Sequence, residues 1–194
     1  MSNVDAGTDF GLWPDETSRL MYHAAMPALL VGTDRSGWTL DLGGGNGLSR
    51  QWFDLVVTVD SDAGKHPDVV ANITTWKPLY PVDRVLLRYV LHYLSDFDVC
   101  ALMAHIASYH HGPLTVIQFV NDDLGAKLAN SVNEDKWFRS EEELRDLLRP
   151  WQVQHRVAVE YEVVPEFYAN RLGHPNPTGH RERVVAYDLT KDTA

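Results

Sequence analysis

Residues 39–50 read TLDLGGGNGLSR, so glycine fills four of the five positions from 43 to 47, just after a short apolar stretch that carries Asp41. Glycine reaches positive φ without strain and lets a ligand approach the main chain where a Cβ would stand in the way. A strand that runs into such a loop constrains the chain to a layout in which the strand's carboxyl end faces a ligand. Two common uses of a glycine loop fail on spacing. A dinucleotide fingerprint counted from Gly43 needs glycine at its sixth position, where Leu48 stands, and no Gly-Lys-Ser/Thr follows to make a phosphate-binding P-loop.

The segments around the loop alternate between strand and helix. PDETSRLMYHAAMPALL predicts a helix: Pro14, Asp15 and Glu16 suit its start, Leu20, Ala24, Ala28 and Leu29 fall near helical spacing, and Pro27 kinks or ends it. WTLDLG then reads as a strand, NGLSRQWF as a brief helix, LVVTVD as a second strand, SDAGKHPD as a loop or reduced helix, and VVANI as a short third strand. RVLLRYVL is a longer apolar strand. Residues 96–111 show helical spacing at Val99, Leu102, Met103, Ile106 and Ala107, and Gly112-Pro113 stops them.

LTVIQFV is apolar except for Gln118, as expected of a strand covered on both faces. SEEELRDLLRP opens with a capping-box pattern, Ser140 with Glu143 three residues on, and ends at Pro150. WQVQHRVAVEYEVV and ERVVAYDLT alternate polar and apolar residues and predict an antiparallel pair at a sheet edge. The expected fold is a single α/β domain over residues 1–194: a doubly wound, mostly parallel sheet with helices on both faces, an antiparallel C-terminal strand pair, and residues 1–37 as an N-terminal helical extension.

A formal net charge of −10 argues against binding built on neutralised nucleic-acid phosphates. The C-terminal arginines, among them Arg139, Arg145, Arg149 and Arg183, are interleaved with acids and read as solvated faces. The single cysteine, Cys100, excludes an internal disulfide and a Cys-rich zinc site. With no apolar run of membrane-spanning length and no export-type N-terminus, a cytoplasmic protein without membrane insertion is expected. His105, His110, His111, His174 and His180 form no His-x-x-x-His pattern, and no metal is expected.

What the loop does match is Asp-x-Gly-x-Gly-x-Gly, from Asp41 through Gly43, Gly45 and Gly47, with Gly44 between them. This resembles the first motif of the class I S-adenosylmethionine (SAM) dependent methyltransferases. The resemblance implies that the loop passes under the cofactor while Asp41 orients its amino-acid end. Asp60, at the end of LVVTVD, is similar to the family's ribose-binding acid, with Ser61 beside the adenine. Asn72 stands where the family commonly has an Asp that accepts from the adenine amine, and Ile73 is expected to pack on the ring. DRVLLRYVLHYLSD is similar to the fourth-strand segment beside the methyl group, which adds Arg88 to the cofactor contacts. The intervals from the loop to Asp60 and from Asp60 to Asn72 are short for the family, so the first two crossover helices are expected to be trimmed and the pocket less covered on that side.

The resemblance implies methyl transfer from SAM, leaving S-adenosylhomocysteine (SAH). His92 is the candidate general base if the acceptor must lose a proton. Tyr89 and Tyr93 flank it. No Asn/Asp-Pro-Pro-Tyr/Phe follows the fourth strand and no Pro-Cys nucleophile exists, which, with the acidic charge, favours a small-molecule acceptor. Trp13, Tyr22, His23, Trp137, Phe138, Phe167 and Tyr168 offer aromatic surface to close over it. A nucleic-acid methyltransferase, a decarboxylated-SAM enzyme and a SAM-binding module without turnover are the alternatives on the same fold.

Overall fold

The computed structural model describes residues 25–120, 137, 139–149, 151–162 and 181–191. Seven strands form one sheet: β1 (Trp38–Leu42), β2 (Leu55–Asp60), β3 (Val69–Val70), β4 (Arg84–Arg88), β5 (Leu114–Val120), β6 (Trp151–Glu162) and β7 (Arg181–Lys191). Their order is β3-β2-β1-β4-β5-β7-β6. The first five run parallel, while β7 is antiparallel to both β5 and β6. The order reverses at β1, whose neighbours are β2 and β4, so a crevice opens beyond the carboxyl end of β1 where the glycines lie.

Every residue of β5 is buried, as its apolar run predicts for a strand with both faces covered. One face packs under helix α1 (Asp96–Tyr109) and helix α2 (Glu141–Leu147). Ser95 caps α1 by accepting from the Asp98 N–H, and Val99, Leu102, Met103, Ile106 and Ala107 form its buried stripe. Full burial of Leu102, Met103 and Ile106 contributes about 2 kcal/mol each. The opposite face is covered by the helical residues 25–29, through Ala25, Met26, Leu29 and Leu30 against Leu86, Ile117 and Phe119. Pro27 sits within that helical run and does not end it.

The first two crossovers are shortened to 3₁₀ turns, Leu48–Gln51 between β1 and β2 and Ala63–Lys65 between β2 and β3. The β3 edge is correspondingly open, with Val70 57% exposed.

The capping box of α2 forms as its sequence predicts: the Ser140 hydroxyl accepts from the Glu143 N–H while the Glu143 carboxylate accepts from the Ser140 N–H. Glu141 beside it ties α2 to the C-terminal hairpin, accepting from Arg156, from the Tyr187 hydroxyl at 2.7 Å and pairing with Arg183. The hydrogen bond from Arg156 holds its carboxyl below the usual range, against the opposing effect of burial. A lowered carboxyl contributes stability that is present above its unfolded value of 4.5 and is lost as pH falls through the folded value. Glu141→Gln is expected to lose about 1–2 kcal/mol at neutral pH, and the loss should vanish in strong acid; urea melts across a pH series measure both.

Candidate active site

The turn after β1 is fixed by backbone bonds, with the Gly43 N–H donating to the Val59 carbonyl at 2.7 Å. Gly43 has φ 75°, and a Cβ there would lie 2.4 Å from Cγ2 of Val90, the residue two beyond the end of β4. The main chain of one strand end is therefore pressed against the side chain of the next. Gly44 is closed in from below, since a Cβ on it would stand 2.7 Å from the Asp41 carboxylate.

A cleft of about 260 Å³ opens over these strand ends. Gly43 contributes from β1, Asp60, Ser61 and Asp62 from β2, Asn72 and Ile73 from the segment after β3, and Val90, Tyr93 and Leu94 from beyond β4. Lys65 completes the wall, its ammonium 3.9 Å from the Asp60 carboxylate. Asp60 is nearly buried; its Oδ2 accepts from the Gly45 N–H at 3.1 Å and its Oδ1 from the Asp62 N–H at 2.9 Å. Asp60 thus joins the glycine loop to the second strand, and each carboxylate oxygen keeps a further acceptor site.

Six of the residues singled out by sequence, Gly43, Asp60, Ser61, Asn72, Ile73 and Tyr93, line this cleft, whereas Asp41, Gly44, Gly45, Gly47, Arg88, Tyr89 and His92 do not. Gly47 takes φ 77° beneath the Arg50 guanidinium and serves the turn into the 3₁₀ segment. Asp62, Lys65, Val90 and Leu94 were not singled out, because a turn or loop residue shows no periodicity to mark it.

Asn72 differs from its expected role. Its Oδ1 accepts from both the N–H and the hydroxyl of Thr74, at 2.9 and 2.8 Å. A carbonyl oxygen has two lone pairs, so the acceptor assigned to an adenine amine is already engaged, and only the amide NH₂ is left to address a ligand.

Asp41 and Arg88 lie on one face of the sheet. Asp41 is in register with Leu86, and Arg88 stands two residues further along β4. Asp41 is fully buried; the Ser49 hydroxyl donates to its Oδ2, and its Oδ1 has no hydrogen-bond partner among the described residues. Burial raises the Asp41 carboxyl above its ordinary value, with the nearby Arg88 charge and the Ser49 bond acting the other way. Arg88 is 4% exposed, and among the described residues its Nε has no partner and its guanidinium lies 5.6 Å over the Tyr89 ring.

For a carboxyl raised on folding, stability is fully present below the unfolded value of 3.8 and is lost as pH rises through the folded value. Asp41→Asn, which keeps an acceptor for Ser49, should therefore melt higher than the native chain at neutral pH and lose that advantage in acid. Thermal melts at several pH values measure this.

The segment beyond β4 turns sharply. Tyr89 adopts φ 55°, uncommon for a non-glycine residue, and is buried with its ring stacked 4.5 Å from Phe119. The expected strand RVLLRYVL accordingly stops at Arg88, and Leu91–Tyr93 winds into a 3₁₀ turn carrying His92. Arg139 clamps that turn: Nη1 donates to the Leu91 carbonyl at 2.8 Å, Nη2 to the Leu94 carbonyl at 2.7 Å, and Nε to Asp96 at 2.8 Å. The Trp137 N–H donates to the His92 carbonyl at 2.7 Å. Arg139 is thus a buried structural arginine, not the solvated residue its acidic neighbours led us to expect. His92 is itself buried, with Tyr93 at 4.2 Å and Phe119 edge-on at 5.8 Å.

Trp137 is half exposed. Trp13, Tyr22, His23, Phe138, Phe167, Tyr168, His174 and His180 lie outside the described residues, as does most of the N-terminal extension. His105 and His110 bond to the backbone carbonyls of Trp76 and Pro113. Among the described residues no group of three or more His, Cys, Asp or Glu side chains is placed to hold a metal ion, and no helix is long and apolar enough to cross a membrane.

No protein-family model matches the sequence, and no curated protein matches it. Solved structures match its shape. A candidate methyltransferase from Bacillus halodurans has a TM-score of 0.65 at 11% identity, over 92% of this chain and 99% of that one. The N-methyltransferase NodS of Bradyrhizobium japonicum, in complex with SAH, has a TM-score of 0.62 at 12% identity, over 93% of this chain and 91% of that one. Magnesium protoporphyrin IX methyltransferase of Synechocystis, with bound SAH, has a TM-score of 0.55 at 13% identity, over 91% and 83%. The chain therefore has the fold of the class I SAM-dependent methyltransferases, down to the antiparallel β7 placed between β5 and β6.

Proposed function

We propose that this protein is a SAM-dependent methyltransferase acting on a small-molecule acceptor. The observation that carries the reading is the meeting of Gly43, Asp60 and Ile73, from three successive strand ends, around one cleft at the switch point of a methyltransferase fold. The residues suit the parts of SAM. Asp60 has acceptor sites left for a ribose diol, and Ile73 offers apolar contact to an adenine. The amide NH₂ of Asn72 can donate to a ring nitrogen, in place of the acceptor role that Thr74 has taken.

The buried Oδ1 of Asp41 and the guanidinium of Arg88 are complementary charges for a zwitterionic amino-acid end. Neither group lines the cleft, so their engagement requires the glycine loop to shift or the ligand to enter beneath it. When bound, SAM supplies an electrophilic methyl on a sulfonium. The chain's own contribution is to hold the acceptor in line with it and away from water. We assign His92, on the clamped turn after β4, to the acceptor side; like Asp41 and Arg88 it is buried and does not line the cleft, so its engagement too requires a local shift.

The small-molecule assignment has support in charge and in fold neighbours. The net charge of −10 disfavours a phosphate backbone as partner, and the Synechocystis relative in shape acts on a porphyrin. Calorimetric titration of SAM and SAH into the protein tests the cofactor. Micromolar binding is expected, because the 3₁₀ turns that replace the first two crossover helices leave the adenosyl side open. No binding of either compound would sink the proposal, and binding without product from any acceptor would favour a regulatory module.

A further inference from the structure

Gln118 is the one polar residue in the apolar run LTVIQFV, and it is 4% exposed. A buried amide must satisfy its hydrogen bonds inside the protein. Its Oε1 accepts from the Leu91 N–H at 3.2 Å, and its Nε2 lies 3.0 Å from Nδ1 of His92. A backbone N–H can only donate, so the end of the amide facing Leu91 must be the oxygen. The end facing His92 is then the NH₂, which also can only donate. Nδ1 must therefore hold a lone pair, and the proton of the neutral ring sits on Nε2.

The surroundings hold this arrangement in place. The carbonyls of Leu91, His92 and Leu94 are bonded to Arg139 and to the Trp137 N–H, and the ring packs against Tyr93 and Phe119. Protonating Nδ1 would set an N–H against the Gln118 NH₂. Rotating the amide to relieve that would set the NH₂ against the Leu91 N–H, leaving a buried donor without an acceptor. Among the described residues, the charged groups of this cluster are Arg139 and Asp96, which pair with each other at 2.7 Å, and Arg88 over the Tyr89 ring, and the other titratable side chains are Tyr89 and Tyr93.

We propose that Gln118 is a positioning residue that holds His92 as the neutral Nε2–H tautomer, so that His92 acts as a hydrogen-bond donor and not as a general base. The consequence for substrate class rests on the methyltransferase reading; the tautomer does not. A donor at this position matches an acceptor whose nucleophile arrives already deprotonated, namely a carboxylate or an acidic phenol or enol. Such an acceptor gives up no proton on methylation, so the protein has none to remove.

Nitrogen-15 NMR of the histidine-labelled protein, with the His92 signals assigned by their absence in His92→Asn, tests the tautomer without any ligand. The expected spectrum shows Nδ1 as the unprotonated nitrogen at neutral pH. Gln118→Glu, which can still accept from the Leu91 N–H, should move a proton onto Nδ1. A native spectrum with Nδ1 protonated would overturn the proposal, whether or not the variant folds. Once an acceptor is in hand, the acid limb of kcat/KM should shift with the acceptor's own pKa across a substituted series. A limb that stays fixed across the series and disappears in His92→Asn would also overturn it. Failure of SAM to bind, by contrast, would remove the methyltransferase reading and leave the tautomer standing.

Discussion

Asp60→Ala is expected to weaken SAM and SAH alike by a hundredfold or more while leaving the protein folded. The Asp60 side chain closes the carboxyl end of β2 and faces the cleft, with one acceptor site on each oxygen taken by a backbone N–H and the others available to a ligand. A ribose diol presents two hydroxyl donors at the spacing of one carboxylate. Charge-assisted hydrogen bonds of this kind are worth roughly 1.5–3 kcal/mol each, so losing both costs on the order of a hundredfold in affinity or more. The alanine also takes the side-chain acceptor from the Gly45 and Asp62 N–H groups and one nearby charge from Lys65, which should lower the melting temperature slightly. Asp60→Asn keeps one acceptor oxygen and should fall between the two. Titration calorimetry on folded protein separates binding from stability, and an unchanged affinity in Asp60→Ala would remove Asp60 from the ribose site.

Much of this site was legible because its chemistry is written in local spacing. The glycine loop, the acid ending the second strand and the pair Asn72-Ile73 all fall at strand ends that apolar runs delimit, and β5 occupies the same residues as its apolar run. The parts that were not legible depend on contacts between distant segments. Nothing near Arg139 in sequence says that its donors meet carbonyls at positions 91 and 94, so its acidic neighbours made it look solvated. The apolar run 84–91 reads the same whether it continues as a strand or turns at a left-handed Tyr89, since periodicity cannot separate a short strand from a buried turn. Asn72 did carry a signal that was passed over: Asn-x-Thr is suited to an Asx turn, in which the side-chain oxygen serves its own backbone.

Gly43→Ala should cost about 2–4 kcal/mol of stability and at least tenfold in SAM affinity, through two separable causes. The first is backbone strain, because φ 75° lies in the left-handed region where a Cβ costs about 1–2 kcal/mol. The second is collision, because the new methyl would sit 2.4 Å from Cγ2 of Val90 and one strand end would have to give way. Forcing a methyl into a packed contact costs about 1–3 kcal/mol. Both displacements act where Gly43 and Val90 line the cleft, so a change of a few tenths of an ångström there alters the cleft's wall. Val90→Ala relieves the 2.4 Å collision, leaving only its own Cβ at 3.1 Å, but does not relieve the strain. In the double variant the stability loss should therefore be smaller than the sum of the single losses, with a coupling of about 1 kcal/mol or more. Denaturant melts on the four proteins of this cycle measure that coupling. Strictly additive losses would mean that Val90 does not confine the loop, and that strain alone keeps glycine at position 43.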